Sequence, residues 1–171
     1  MGRRRAWRQH LTEVFAGVVA TWDDVRRLAL ALPETAEKAS YGGAPSWTVK
    51  DKGFVWDRPL RPADRAALGD AAPDGPVLGA RVPDVGVKDA LVAAQPDVYF
   101  TTPHFDGYPA VLVRLDRIDV DELEELVTEA WLARAPKRLA ATLTPPGPAA
   151  GGSGRRTPGP RASRSRPSPR R

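Results

Sequence analysis

The stretch from Thr101 to Leu139, TTPHFDGYPAVLVRLDRIDVDELEELVTEAWLARAPKRL, joins a polar and aromatic loop, an apolar strand and an amphipathic helix. Asp119 occupies the N-cap position of that helix and Glu122 its N3 position, which is the pattern of a capping box. Anionic residues crowd its first turns and cations its end, as the helix dipole favours. Because these local signals agree, the stretch predicts a folded domain that contains both strands and helices.

The residues before this stretch predict further elements. Thr21 caps a helix whose apolar residues recur every three or four positions until Pro33. A β-hairpin is predicted over residues 46–57, with Gly53 supplying the positive φ of its turn. The remaining elements are a short helix over 62–68, a strand over 77–82, a helix between Asp84 and Pro96, and strands over 98–100 and 110–115.

The predicted order is therefore α-β-β-(α)-β-α-β-β-α. A mixture of hairpins and helices in this order is typical of the α+β class. We expect an antiparallel sheet with helices mainly on one face.

Charge is distributed unevenly along the chain. The whole sequence carries a net +5, but residues 144–171 hold seven Arg and no acidic residue, and residues 1–20 hold four Arg and one Glu. Residues 21–143 therefore carry a net −5. A nucleic-acid interpretation based on the mean charge applies to the two ends of the chain and not to the predicted domain.

Three segments are predicted: a non-structural N-terminal extension over 1–20, a domain over 21–143, and a disordered tail over 144–171, whose Pro, Gly, Ser and Arg cannot bury enough apolar surface to fold. Glu13 interrupts the apolar part of the extension, which argues against an export signal. A biological start near Val18 or Val19 is an alternative. The arginines of the tail are either a non-specific tether for nucleic acid or anionic surfaces, or a product of composition.

No apolar run in the sequence approaches the roughly 20 residues that a membrane-spanning helix needs. We therefore expect no membrane insertion, and the cytoplasm is the expected location.

Four pieces of the sequence resemble the MmcQ/YjbR-like family of small bacterial domains. They are TWDDVRRLALALPE at 21–34, SYGGAPSWTVKDKGFVW at 40–56, VGVKDALVAAQPDVYFTTPHFDGYPAVLVRLDRID at 85–119 and ELEELVTEAWLARAPKRL at 122–139. The resemblance implies a CyaY-like fold. It also implies binding of double-stranded DNA through β-hairpins that present basic residues to the duplex.

The candidate DNA contacts are cations of the hairpin, of the segment after it and of the strand over 110–115: Lys50, Lys52, Arg58, Arg61 and Arg114. Lysines at a hairpin tip can contact phosphates, although Asp51 and Asp57 dilute the charge, and an ordinary charged turn is the simpler interpretation of the tip. Arg114 interrupts an apolar strand, so we expect it to face solvent on an open side of the sheet.

The loop over 101–109 is the alternative candidate, a pocket for a small molecule or a protein segment formed by Thr102, His104, Asp106 and Tyr108. His104 can act as a base that Asp106 orients, but no nucleophile motif accompanies them, and the chain has no Cys. A zinc site needs three or four ligands, and the predicted domain holds a single histidine. We therefore predict a non-enzymatic binding protein with no catalytic residues, no cofactor and no metal.

Overall fold

The computed structural model describes residues 17–143, so the predicted tail over 144–171 and residues 1–16 of the predicted extension lie outside the described residues. Residues 17–20 run beside the start of the last long helix. Val19 forms a β-bridge with Asp119, and the buried Ala20 donates its N–H to the Ile118 carbonyl at 2.9 Å. Residues 19 and 20 of the predicted extension thus contact the residues that precede the last long helix.

Within the described residues, six antiparallel strands form one sheet. In chain order they are β1 Thr35–Ala39, β2 Pro45–Val49, β3 Lys52–Asp57, β4 Val77–Arg81, β5 Tyr99–Phe100 and β6 Ala110–Arg114. Their spatial order is β1-β2-β3-β4-β6-β5. The α+β class and the antiparallel sheet are thereby confirmed. The sequence did not predict β1, because TAEKA lacks apolar alternation and becomes a strand through its pairing with β2.

Five helices accompany the sheet: α1 Trp22–Leu30, α2 Pro62–Leu68, α3 Val85–Ala94, α4 Val120–Arg134 and α5 Lys137–Ala140. The capping box predicted at the start of α1 forms between Thr21 and Asp24. At the start of α4, Asp119 accepts from the Glu122 N–H at 2.8 Å. The Glu122 carboxylate, however, accepts from Gln95 and Tyr99 instead of completing the predicted box.

The sheet buries a different apolar cluster on each face. Helices α1 and α4 cover one face and bury the larger cluster against it. Large side chains of this cluster are Trp47, Phe54, Tyr99, Leu123 and Trp131. The opposite face holds a smaller cluster, which includes Phe100, Phe105 and Leu112 and is packed by Leu60 and by Leu68 of α2. Helices therefore lie mainly on one face, as predicted.

The hairpin between β2 and β3 turns at Lys50 and Asp51, whose φ values are 48° and 63°. Two successive positive φ angles characterise a type I′ turn, the tightest hairpin connection. The prediction that Gly53 supplies the positive φ is wrong. Gly53 lies inside β3 opposite Thr48, where a register shift marks a β-bulge.

Candidate functional site

The hairpin tip carries less free positive charge than the sequence suggested. Lys50 forms an ion pair with Glu34, and the neighbouring Asp51 forms another with Lys38. Lys52 is exposed and has no ion pair within the described residues. Of the two lysines predicted to contact DNA at the tip, only Lys52 presents an uncompensated charge.

Arg58 is a buried structural residue. The residue is 7% exposed, and Nη2 donates to Oδ2 of Asp64 at 2.8 Å. Burial alone would raise the pKa of Asp64, but the Arg61 backbone N–H and the Arg58 guanidinium lower that pKa overall. Arg58 also lies over the ring of Phe105. It is therefore unavailable to a phosphate, whereas Arg61 is exposed at the N-cap position of α2.

Arg114 is not the free cation on an open sheet face that the sequence led us to expect. It is half-buried, its Nη1 donates to the Pro96 carbonyl at 3.0 Å, and its Nη2 donates to the Ala71 carbonyl at 2.9 Å. Its guanidinium carbon lies 4.6 Å from the ring centroid of Phe100. Arg114 thus ties two loops to β6.

The predicted pocket residues of the 101–109 loop differ in exposure. Thr102 is buried close to Asp64, whereas His104, Asp106 and Tyr108 are exposed. The His104 ring meets Phe105 edge-on at 4.9 Å, and within the described residues it forms no hydrogen bond or ion pair with Asp106. The described residues do form a hollow of about 410 Å³. It lies at the β1 edge of the sheet, between α1, β1 and residues 43–45, away from this loop.

Hydrogen bonds from the buried Lys88 of α3 hold the 101–109 loop in place. This lysine is 3% exposed, and its Nζ donates to the carbonyls of Phe105 at 2.5 Å and Tyr108 at 3.3 Å. A short 3-10 turn over Pro103–Phe105 buries Phe105, and Gly107 adopts a φ of 67°. The loop is therefore a shaped part of the fold that presents Tyr108 outward.

Tyr108 packs on Arg81, a residue that the sequence reasoning missed. The Arg81 guanidinium carbon lies 4.6 Å from the Tyr108 ring centroid and 5.7 Å from that of Trp56. Arg81 Nη2 also donates to the Tyr108 hydroxyl at 3.3 Å, and this hydrogen bond lowers the pKa of Tyr108, with further help from the charges of Arg81 and Arg134. The available signal was an arginine ending the apolar strand VLGAR, as Arg114 ends AVLVR.

Arg81 belongs to a group of cations at one end of the sheet. We call the basic end the cations Lys52, Arg81 and Arg134 at this end, together with Lys137 and Arg138 of α5, which follows Arg134 along the chain. Lys52 begins β3 and Arg81 ends its antiparallel neighbour β4, so both lie at the same end. The charge of Arg134 reaches Tyr108, and the two α5 cations follow Arg134 within four residues. Within the described residues, none of the five forms an ion pair with an acid.

The described residues contain no group of three or more His, Cys, Asp or Glu side chains placed to hold a metal ion. They also contain no helix with the length and apolarity needed to cross a bilayer.

Comparisons with known proteins identify relatives in sequence and in structure. A family model described as YjbR matches residues 30–133. Uncharacterised proteins of Mycobacterium tuberculosis and Mycobacterium bovis are 58% identical over 124 residues, which cover 71% of this chain and 93% of each relative. A crystal structure of a Deinococcus radiodurans protein with the family-model domain DUF419 has a TM-score of 0.51 at 22% identity, covering 67% of this chain and 78% of that one. The last likeness concerns the fold.

Proposed function

The chain belongs to the YjbR family, and we propose that it is a non-enzymatic DNA-binding protein that holds the phosphate backbone of the duplex at its basic end. The observation that carries this proposal is that Lys52, Arg81 and Arg134 meet at one end of a domain whose net charge is −5, with Lys137 and Arg138 following Arg134 along the chain. Within the described residues, none of these cations forms an ion pair with an acid. Charges arranged in this way create a local positive potential even on an acidic protein.

The arginine-rich segment over 144–171 supports the same proposal. It follows α5 after only three residues, so its seven arginines are joined to the chain beside the basic end. Unspecific attraction to DNA comes almost entirely from such cations, through release of counterions from the phosphates. In this proposal the segment adds affinity, and the basic end fixes how the domain sits on the backbone.

The lack of enzymatic activity is part of the proposal. A general base needs a hydrogen-bonded partner that orients it and tunes its basicity. His104 is exposed, and within the described residues its ring contacts Phe105 rather than an acid or a hydroxyl.

The alternative function, a small-molecule or protein-binding pocket around the 101–109 loop, has weaker support. Thr102 is buried, whereas His104 and Tyr108 are exposed, and the hollow of about 410 Å³ lies away from this loop. A DNA partner also agrees with the cytoplasmic location expected from the sequence.

The test is duplex DNA binding by the full chain across a salt series. The triple variant R134Q/K137Q/R138Q removes three cations of the basic end. Each lost phosphate contact lowers the slope of log K against log salt concentration by about 0.9, so we expect the slope to fall by about 2 to 3.

The matched control is R61Q/R65Q/R117Q, which removes three exposed cations away from the basic end. It carries the same change in net charge, so we expect a slope close to that of the wild type. Equal losses in the two variants would show that net charge alone matters. If neither variant changes binding and a chain ending at Leu143 does not bind, contact belongs to residues 144–171 and the basic end has no role.

A further inference from the structure

We infer that Tyr108 is a stacking platform for an unpaired nucleobase beside the basic end. This inference rests on the proposed function, and it adds which part of the nucleic acid the domain recognises. Three observations carry it: the layered packing around Arg81, the exposure of the Tyr108 ring, and the rigid attachment of the loop that holds it.

The packing around Arg81 supports the Tyr108 ring from one side. The guanidinium contacts the rings of both Tyr108 and Trp56 and donates a hydrogen bond to the Tyr108 hydroxyl. Trp56 in turn lies flat against β4 at Gly79, where a Cβ atom would be 2.3 Å from the indole. The sheet, the indole, the guanidinium and the phenol ring thus form successive layers, which fix the orientation of the outermost ring.

The Tyr108 side chain is 48% exposed, although Arg81 packs on it. A flat aromatic surface with a cation behind it is suited to stacking, since every nucleobase presents a π-face of its own. The charges of Arg81 and Arg134 act on Tyr108, so two cations of the basic end are close enough to attract the phosphates of such a strand. Bases of an intact duplex are stacked on each other, so this surface selects an unpaired base.

The loop holds Tyr108 in place before any ligand arrives. The Tyr108 carbonyl accepts from the buried Lys88 Nζ and from the Ala110 N–H, and the Tyr108 N–H donates to the Phe105 carbonyl at 3.0 Å. Little conformational freedom then remains to be lost when a base stacks on the ring, which favours affinity.

The experiment measures binding of the full chain to three strands with the same number of phosphates: oligothymidylate, oligouridylate and an abasic strand. Because stacking contributes about 1–3 kcal/mol per base, we expect oligothymidylate to bind on the order of tenfold more tightly than the abasic strand. A similar preference for oligouridylate would assign the platform to unpaired bases of either nucleic acid, and its absence would assign it to DNA.

Two variants separate the contribution of the Tyr108 ring from that of its hydroxyl. Y108L removes the aromatic surface, so the preference for base-bearing strands should disappear while abasic binding stays at the wild-type level. Y108F keeps the ring and loses only the hydrogen bond with Arg81, so the preference should remain. Circular dichroism and thermal unfolding establish that both variants fold.

Two results would overturn the inference. In the first, the wild type binds the duplex but does not distinguish base-bearing from abasic strands, which leaves the proposed function intact. Alternatively, Y108L retains the full preference. Absence of binding to every strand and to the duplex would remove the inference and the proposed function together.

Discussion

Arg81 and Arg114 end two adjacent strands, yet the fold uses them differently. In the antiparallel ladder of β4 and β6, Val77 pairs with Arg114 and Arg81 pairs with Ala110, so the two arginines lie at opposite ends of one ladder. Arg114 donates to two backbone carbonyls and packs on Phe100. Arg81 donates to an exposed phenol and has no acidic partner in the described residues.

The two ends of the sheet repeat this difference. Near Arg114, Arg58 is buried against Asp64 and serves the smaller core. Near Arg81, Arg134 and the cations of α5 remain without acidic partners in the described residues. Arginine in an apolar strand therefore stabilises the fold at one end and forms a charged surface at the other, and the surrounding carbonyls and carboxylates make the distinction.

The largest expected effect tests whether Arg58 is structural. In R58M, Asp64 keeps its buried position and loses its cation, so we expect the free energy of unfolding to fall by about 3–5 kcal/mol. The control R61M changes an exposed arginine three residues away and should alter that free energy by no more than about 0.5 kcal/mol. Urea unfolding measures both. Similar losses would mean that the two arginines play the same role.

An intermediate effect compares the two strand-ending arginines directly. R114M removes two hydrogen bonds from a charged donor, so we expect a loss of about 1–2 kcal/mol in the free energy of unfolding. R81M removes one longer hydrogen bond at the surface and should cost less than about 1 kcal/mol, while it weakens DNA binding. Urea unfolding and duplex titration separate the two outcomes. A larger stability loss in R81M would contradict the comparison.

The smallest effect concerns Asp57, the last residue of β3, which directly precedes Arg58. Burial raises the pKa of Asp57. Its contribution to stability is therefore fully present below the ordinary carboxyl pKa and is lost as pH rises through the raised value. D57N should accordingly raise the free energy of unfolding slightly at neutral pH and leave it unchanged in acid.

Asp64 provides a control with the opposite sign, because its pKa is lowered in the folded protein. Its contribution is present above the ordinary carboxyl pKa and is lost as pH falls through the lowered value. D64N should therefore destabilise the protein most at neutral pH. Urea unfolding at a series of pH values measures both variants, and parallel profiles for D57N and D64N would show that the two carboxyls have similar surroundings.

The class of the fold and most of its elements could be predicted from the amino-acid sequence. Helix caps such as Thr21 with Asp24, and apolar residues repeating with the period of a helix or a strand, depend on contacts within a few residues. These contacts survive in any tertiary arrangement. The edge strand β1 escaped prediction, since its pairing with β2, rather than its own pattern, makes it a strand.

Which cations are free depends on contacts between residues that are distant along the chain. Arg114 meets the carbonyl of Ala71, which is 43 positions away along the chain; Lys50 meets Glu34 across the end of the sheet; and Arg81 meets Tyr108 on a loop 27 positions later. A local sequence pattern cannot predict these contacts, because the partners lie far apart along the chain. The charge that a side chain presents to a ligand depends on which distant polar groups the sheet order brings beside it, and that order is a property of the whole fold.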